Sequence, residues 1–153
     1  MLILPNSQPW APPWVLLALA DYGVREIKGV QDHPKIVGYH KHTAAGAAPD
    51  ETAWCASAAN AWLERSGLPG TRSKAASSFA GYGEESLLRI GCILVFGKAD
   101  PDAKGTGHVG FGVGWDDTRV LCLGGNQNNE VNVGLRLRKN LVACRWPKGF
   151  VWP

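Results

Sequence analysis

The chain has 153 residues, 45% of them apolar and 19% charged, with a net charge of +3. That length suits one domain with a hydrophobic core and is too short for two comfortable ones, and the composition excludes a disordered chain. The mild basicity favours an anionic partner such as a cell-wall polymer, but no Lys/Arg run marks a stripe for nucleic acid, so no nucleic-acid partner is expected.

Residues 1–13 carry Pro5, Pro9, Pro12 and Pro13 and read as an extended arm. Pro13 is placed to open a helix from Trp14 to about Tyr22, stopped by Gly23. Its apolar run, Trp14 to Ala20, is too short to span a bilayer and lacks the basic leader of a signal peptide, so neither membrane insertion nor a secretory signal is expected. A second short helix starts at Pro34, with Ile36, Val37 and Tyr39 on its apolar side. A third begins near Cys55, capped by Asp50 or Thr52, and ends at Gly67. Within it Cys55, Ala59 and Trp62 share one face. A short helix is expected over Lys74 to Phe79, ending at Gly81.

Strands follow: Cys92 to Phe96, His108 to Trp115, Arg119 to Leu123, Glu130 to Val133 and Leu141 to Trp146, with a polar loop over 97–107 and a tight turn at Asp116-Asp117. Helices first and strands afterwards predict a single α+β domain over residues 1–153, its N-terminal helices packed on one antiparallel sheet.

The four cysteines form no Cys-x-x-Cys pair, so neither a structural zinc site nor any other metal or cofactor is expected. Cys92, Cys122 and Cys144 sit in apolar strand-like runs, where cysteine behaves as a small core residue. His33, His40 and His42 lack a carboxylate partner motif and read mostly as surface residues. Cys55 differs. It opens a helix, where the partial positive charge of the N-terminus favours a thiolate, although Asp50 and Glu51 oppose that. The strand His108-Val109-Gly110-Phe111-Gly112-Val113-Gly114-Trp115 alternates, leaving His108 and three glycines on one face. That bare face would admit a helix turn or a substrate backbone, bringing the thiol within reach of the imidazole.

The chemistry this predicts is a cysteine hydrolase: Cys55 as nucleophile, His108 as general base and then acid, and a polar residue to hold the imidazole by its other nitrogen. Asn126 is the first choice for that third role, with Gln127 or an unidentified acidic or carbonyl acceptor as alternatives. The Cys55 backbone N–H would supply part of an oxyanion hole. Trp54, Gln127 and Gly110 are the candidates for lining the substrate groove.

The segments Asp50-Glu51-Thr52-Ala53-Trp54-Cys55-Ala56, Gly107-His108-Val109-Gly110-Phe111 and Leu123-Gly124-Gly125-Asn126-Gln127, with Ala20 to Gly29 upstream, resemble the CHAP and NlpC/P60 branch of papain-like cysteine hydrolases, in its small phage-associated form. The resemblance spans roughly residues 14–147. It implies a papain-like fold and cleavage of an amide bond in bacterial peptidoglycan, either between sugar and stem peptide or within the peptide. It also implies an endolysin made in a host cytoplasm and acting on the wall after release; the length leaves no room for a separate wall-binding domain, and a monomer is the default expectation. The family's third residue varies, and the glutamate many CHAP domains carry near position 126 is absent. A non-catalytic wall-binding or phage structural module, or an acyltransferase or deamidase on the same fold, is the alternative.

Overall fold

The computed structural model describes residues 9–103 and 107–152, so most of the proline-rich arm and the tip of the polar loop lie outside the described residues. Helix α1 spans Pro13–Ala20 with proline in its first turn, where a missing N–H costs nothing. The chain leaves it through Asp21 and turns at Gly23, whose φ of +88° lies where a side chain is disfavoured. Helix α2 spans Pro34–His40 and is capped by His33, whose Nδ1 accepts the Lys35 N–H at 3.1 Å. Helix α3 spans Cys55–Arg65, and Gly67 (φ +81°) follows its last turn. The short helix expected over 74–79 is a 3-10 segment at Ala76–Gly81.

Six antiparallel strands follow among the described residues: β1 Glu84–Glu85, β2 Ile93–Phe96, β3 His108–Trp115, β4 Arg119–Gln127, β5 Glu130–Leu137 and β6 Leu141–Trp146. They lie in the order β1-β6-β2-β3-β4-β5. The molecule is therefore an α+β domain. Strand β1 is too short and polar to announce itself in sequence. Strand β4 runs past its expected end because the turn to β5 is Asn128-Asn129, both at positive φ (52° and 63°), and β5 runs on to Leu137, which pairs with Arg119 at the start of β4. Two consecutive left-handed residues make the mirror-image turn that suits a two-residue hairpin, and asparagine tolerates it. The Asp116 turn is held by its own carboxylate, which accepts the backbone N–H groups of Thr118 and Arg119.

Helix α3 packs on β3 and β4, with α1 and α2 against it. Trp62 meets Phe111 at 5.9 Å between ring centroids. Asp21 ties the three helices together. Its carboxylate accepts the Tyr39 hydroxyl (2.6 Å), the Trp62 indole N–H (3.0 Å) and the Lys35 ammonium (2.9 Å). Burial opposes its ionisation, but these donors outweigh burial and hold the carboxyl below its ordinary range. At the other end, Trp146 packs edge-on against Trp14 and donates to Phe150 O, while Trp10 is exposed.

The alternation read in β3 holds only for its first half. The register with β4 shifts between Gly112 and Gly114, so Val113 falls at a bulge and Trp115 emerges 45% exposed. Cys92 and Cys122 are fully buried and Cys144 half-buried, and all four cysteines are free thiols.

Candidate active site

Helix α3 begins at Cys55 because Trp54 leaves the helical conformation (φ −125°, ψ 7°) while Cys55-Ala56-Ser57-Ala58-Ala59 is a run of small residues rich in alanine. No side chain caps it. The expected caps are otherwise placed: Asp50 lies wholly buried on the preceding loop, where its carboxylate accepts the N–H groups of Ile27 (2.9 Å) and His33 (2.8 Å). Those bonds keep Asp50 ionised against burial and direct its charge into the loop. The first turn thus carries no side-chain cap. Backbone groups of Val109, Ala56 and Cys55 itself lie against the Cys55 sulfur.

That contact places the thiol next to the start of β3, where His108 is fully buried. The imidazole Nε2 lies 2.9 Å from Gln127 Oε1. The Gln127 amide nitrogen faces three acceptors: Cys122 O (3.0 Å), Asn132 O (2.8 Å) and Asn132 Oδ1 (2.9 Å). Its NH2 end is thereby fixed, so Oε1 must accept and His108 Nε2 must carry the proton. In neutral histidine the other nitrogen, Nδ1, then holds the lone pair. Nδ1 is buried and makes no hydrogen bond among the described residues.

The orienting residue is thus Gln127, the alternative, and not Asn126. Strand β4 pairs Gly124 with Asn132 and then Gln127 with Glu130, so Gly125 and Asn126 together oppose Val131 alone. At this bulge Asn126 is left-handed (φ 56°). The extra residue puts Gln127, not Asn126, on the face of Gly124. A Cβ on Gly124 would come within 2.9 Å of Gln127 Oε1, so the glycine makes room for the amide. Asn126 is 2% exposed, and its Oδ1 makes no hydrogen bond among the described residues.

All three groove assignments change: Gln127 is 2% exposed, its amide engaged by His108, Cys122 and Asn132. Trp54 is fully buried, stacked on Tyr39 (5.9 Å) and bonded to Glu26 Oε1 (2.9 Å), and its ring fills the space a Cβ on Gly125 would need. It packs the site from beneath and lines no groove. Gly110 is buried too, and a Cβ there would meet Cys122 Sγ at 2.4 Å. The bare face of β3 accommodates thiols of its own sheet, Cys122 behind Gly110 and Cys92 behind Gly112, and not a helix or a substrate. An open groove of ≈ 490 Å³ lies nearby, lined by residues 25–29, Glu51, Asn128 and Asn129. Its walls are the 25–29 segment between α1 and α2, Glu51 on the loop before Cys55, and the Asn128-Asn129 turn after Gln127, and Glu26 is tied to Trp54 by a hydrogen bond. Sequence reasoning had no signal for Glu26 or Glu51 as groove residues.

Electrostatically, the resting pair is neutral. Burial pushes the Cys55 thiol up, and neither the neighbouring N–H groups nor Arg136 offset it. Burial first, then the charge of Arg136, push His108 down to about 4, against the pull of Gln127, Asp100 and Asp102. A preformed thiolate–imidazolium pair is therefore not the resting state. What the arrangement offers is a neutral thiol against the Val109 backbone, and on the adjoining residue an imidazole whose Nδ1 makes no hydrogen bond among the described residues.

Two of the other histidines differ from their surface reading. His40 is fully buried, with Nδ1 2.7 Å from Ser57 Oγ, and His42 is bonded to Glu64 (2.7 Å). Among the described residues no group of three or more His, Cys, Asp or Glu side chains is placed to hold a metal ion, and no helix is long and apolar enough to cross a membrane.

Comparison of the chain with family models, with curated proteins and with solved structures gives no match.

Proposed function

We propose that the protein is a cysteine hydrolase of the papain-like CHAP or NlpC/P60 type, cleaving an amide bond of bacterial peptidoglycan. The observation that carries the reading is the Gln127-held tautomer of His108, which leaves Nδ1 without a hydrogen-bond partner among the described residues, on the residue next to Val109, whose backbone lies against the Cys55 sulfur. The choice of peptidoglycan rests on the sequence resemblance and on the net charge of +3, which suits an anionic wall.

In this mechanism His108 Nδ1 takes the Cys55 proton as the sulfur attacks the carbonyl carbon. The backbone N–H groups at the uncapped start of α3 stabilise the developing oxyanion. The imidazolium then protonates the leaving amine, giving an acyl-enzyme thioester. Water, deprotonated by His108, releases the acid and restores the thiol. Substrate would lie along the groove between Lys28 and Asn128.

Purified peptidoglycan treated with wild type and with Cys55→Ala, followed by mass spectrometry of soluble products, tests this. Stem-peptide or disaccharide-peptide fragments from wild type alone support it and identify the bond. Absence of fragments with either protein, on walls of several chemotypes, would end it. That outcome would favour a wall-binding module, a second reading that the deep burial of Cys55 and His108 gives some weight. Transfer of the acyl group to an amine in place of water would mark an acyltransferase.

A further inference from the structure

His108 stands against a buried cluster of charge. Arg136, on β5, is 5% exposed between the outward-facing Leu135 and Leu137. Its guanidinium forks, Nη1 to Asp100 Oδ1 and Nη2 to Asp102 Oδ2 (2.5 Å), both on the loop that follows β2. The same guanidinium lies 5.5 Å from the Phe96 ring centroid. Phe96 is paired across the strands with His108, with ring centroids 6.2 Å apart. The other oxygen of Asp102 accepts the Asn128 N–H at 2.9 Å, and Asn128 follows Gln127 directly. The cluster therefore supports the imidazole through Phe96 and also through the turn that carries its amide partner.

Removing three charges from water is costly, and apolar residues of the same volume would pack this strand without that penalty. Packing alone does not account for charge here. On the reading of His108 as general base, we infer that Arg136, clasped by Asp100 and Asp102, is a positioning residue that holds the imidazole in the orientation and charge state needed to take the thiol proton.

The charges facing His108 come from two elements: Arg136 on β5, and Asp100 and Asp102 on the β2–β3 loop. Gln127 on β4 is polar and neutral, and the Cys55 thiol on α3 lies beside the adjoining Val109. Arg136 opposes protonation of the imidazole at rest. Asp100 and Asp102 pull the other way and favour the imidazolium formed when the Cys55 proton moves to Nδ1. The Arg136 charge and the fork that places it thus do separate jobs.

The test is the titration of His108 ring signals in full-length protein labelled with 15N-histidine, without substrate. The wild-type midpoint is expected at about 4. Arg136→Met should raise it by about one pH unit, and Asp102→Asn should lower it. Arg136→Lys, which keeps the charge but loses the fork, should leave the midpoint near wild type while lowering kcat on peptidoglycan. The opposite shifts report the charges that face the imidazole; a lower kcat for Arg136→Lys at an unchanged midpoint reports the placing role of the fork, and an unchanged kcat for that variant would overturn it. Identical midpoints in the folded variants would overturn the inference. If Arg136→Met does not fold, Asp102→Asn decides by direction, since its side chain is a quarter exposed. The midpoints need no substrate, so failure here is distinct from failure of the hydrolase reading, which the Cys55→Ala product assay decides.

Discussion

Gly110→Ala would place a methyl group 2.4 Å from Cys122 Sγ and 2.9 Å from Leu123 O. Ordinary carbon contacts lie near ~3.5–4.0 Å, so a neighbour must move by about 1 Å in a fully buried part of the sheet. Overpacking of this kind costs about 2 kcal/mol. With a urea dependence of about 2 kcal/mol per molar for a chain of this size, the unfolding midpoint should fall by about 1 M. If the sulfur is the obstacle, Cys122→Ala relieves part of the clash. That variant alone should cost about 1 kcal/mol, and Gly110→Ala placed in it should cost about 1 kcal/mol less than in wild type. The remainder belongs to the Leu123 carbonyl, which Cys122→Ala does not move. Urea denaturation of the four proteins, followed by tryptophan fluorescence, measures the coupling. An equal cost in both backgrounds would refute the packing account. Wild-type stability combined with a raised KM would show that the glycine face serves substrate after all.

Gln127→Ala removes the only hydrogen-bond partner of His108 Nε2 among the described residues, a loss of about 1–3 kcal/mol, so kcat on peptidoglycan should fall about 10- to 100-fold. Asn126→Ala should leave kcat within about threefold and cost about 1 kcal/mol in urea for a non-glycine residue held left-handed; the reverse ranking of the two variants would return the orienting role to Asn126. Acid should destabilise the fold. With His108 near 4 when folded and 6.5 when unfolded, the unfolded chain binds the extra proton between those values, so stability is fully present above pH 6.5 and falls as pH drops toward 4. Taking 1.36 kcal/mol per unit, this one group accounts for about 3 kcal/mol, and the urea midpoint of His108→Gln should depend less on pH across that window than wild type; an unchanged slope would contradict the burial argument. Asp21→Ala strands two buried donors, the Tyr39 hydroxyl and the Trp62 indole N–H, and should cost about 3 kcal/mol, read as a lowered Tm; a loss below about 1 kcal/mol would show that the helices do not depend on this carboxylate.

Much of the architecture was legible because it rests on local chemistry. Pro13 and Pro34 open α1 and α2, Gly23 follows α1 and Gly67 follows α3, and β3 and β6 have the ends their sequences predicted. The positions of Cys55 and His108 on their elements were equally readable. The partner of the imidazole was not, because it depends on a bulge: one additional residue in β4 moves Gln127 onto the histidine's face, and nothing in Gly124-Gly125-Asn126-Gln127 distinguishes a bulge from a turn. Trp54 and Gly110 were misread for a related reason. A tryptophan beside a thiol and a glycine in a strand each suit either a groove or a packed interior, and only the neighbours, Tyr39 and Cys122, decide. The burial of His40 and the Arg136 cluster arise from contacts across 17 to 36 positions of chain, beyond any local pattern.

The central claim is that Cys55 forms the acyl-enzyme bond. Wild-type protein mixed with soluble peptidoglycan fragments, quenched in acid within milliseconds to seconds and analysed by intact mass and peptide mapping, should show a hydroxylamine-labile adduct of stem-peptide or muramoyl mass on the peptide containing Cys55. Release of fragments with no adduct on Cys55 at any time point, or with the adduct on another residue, would contradict the account.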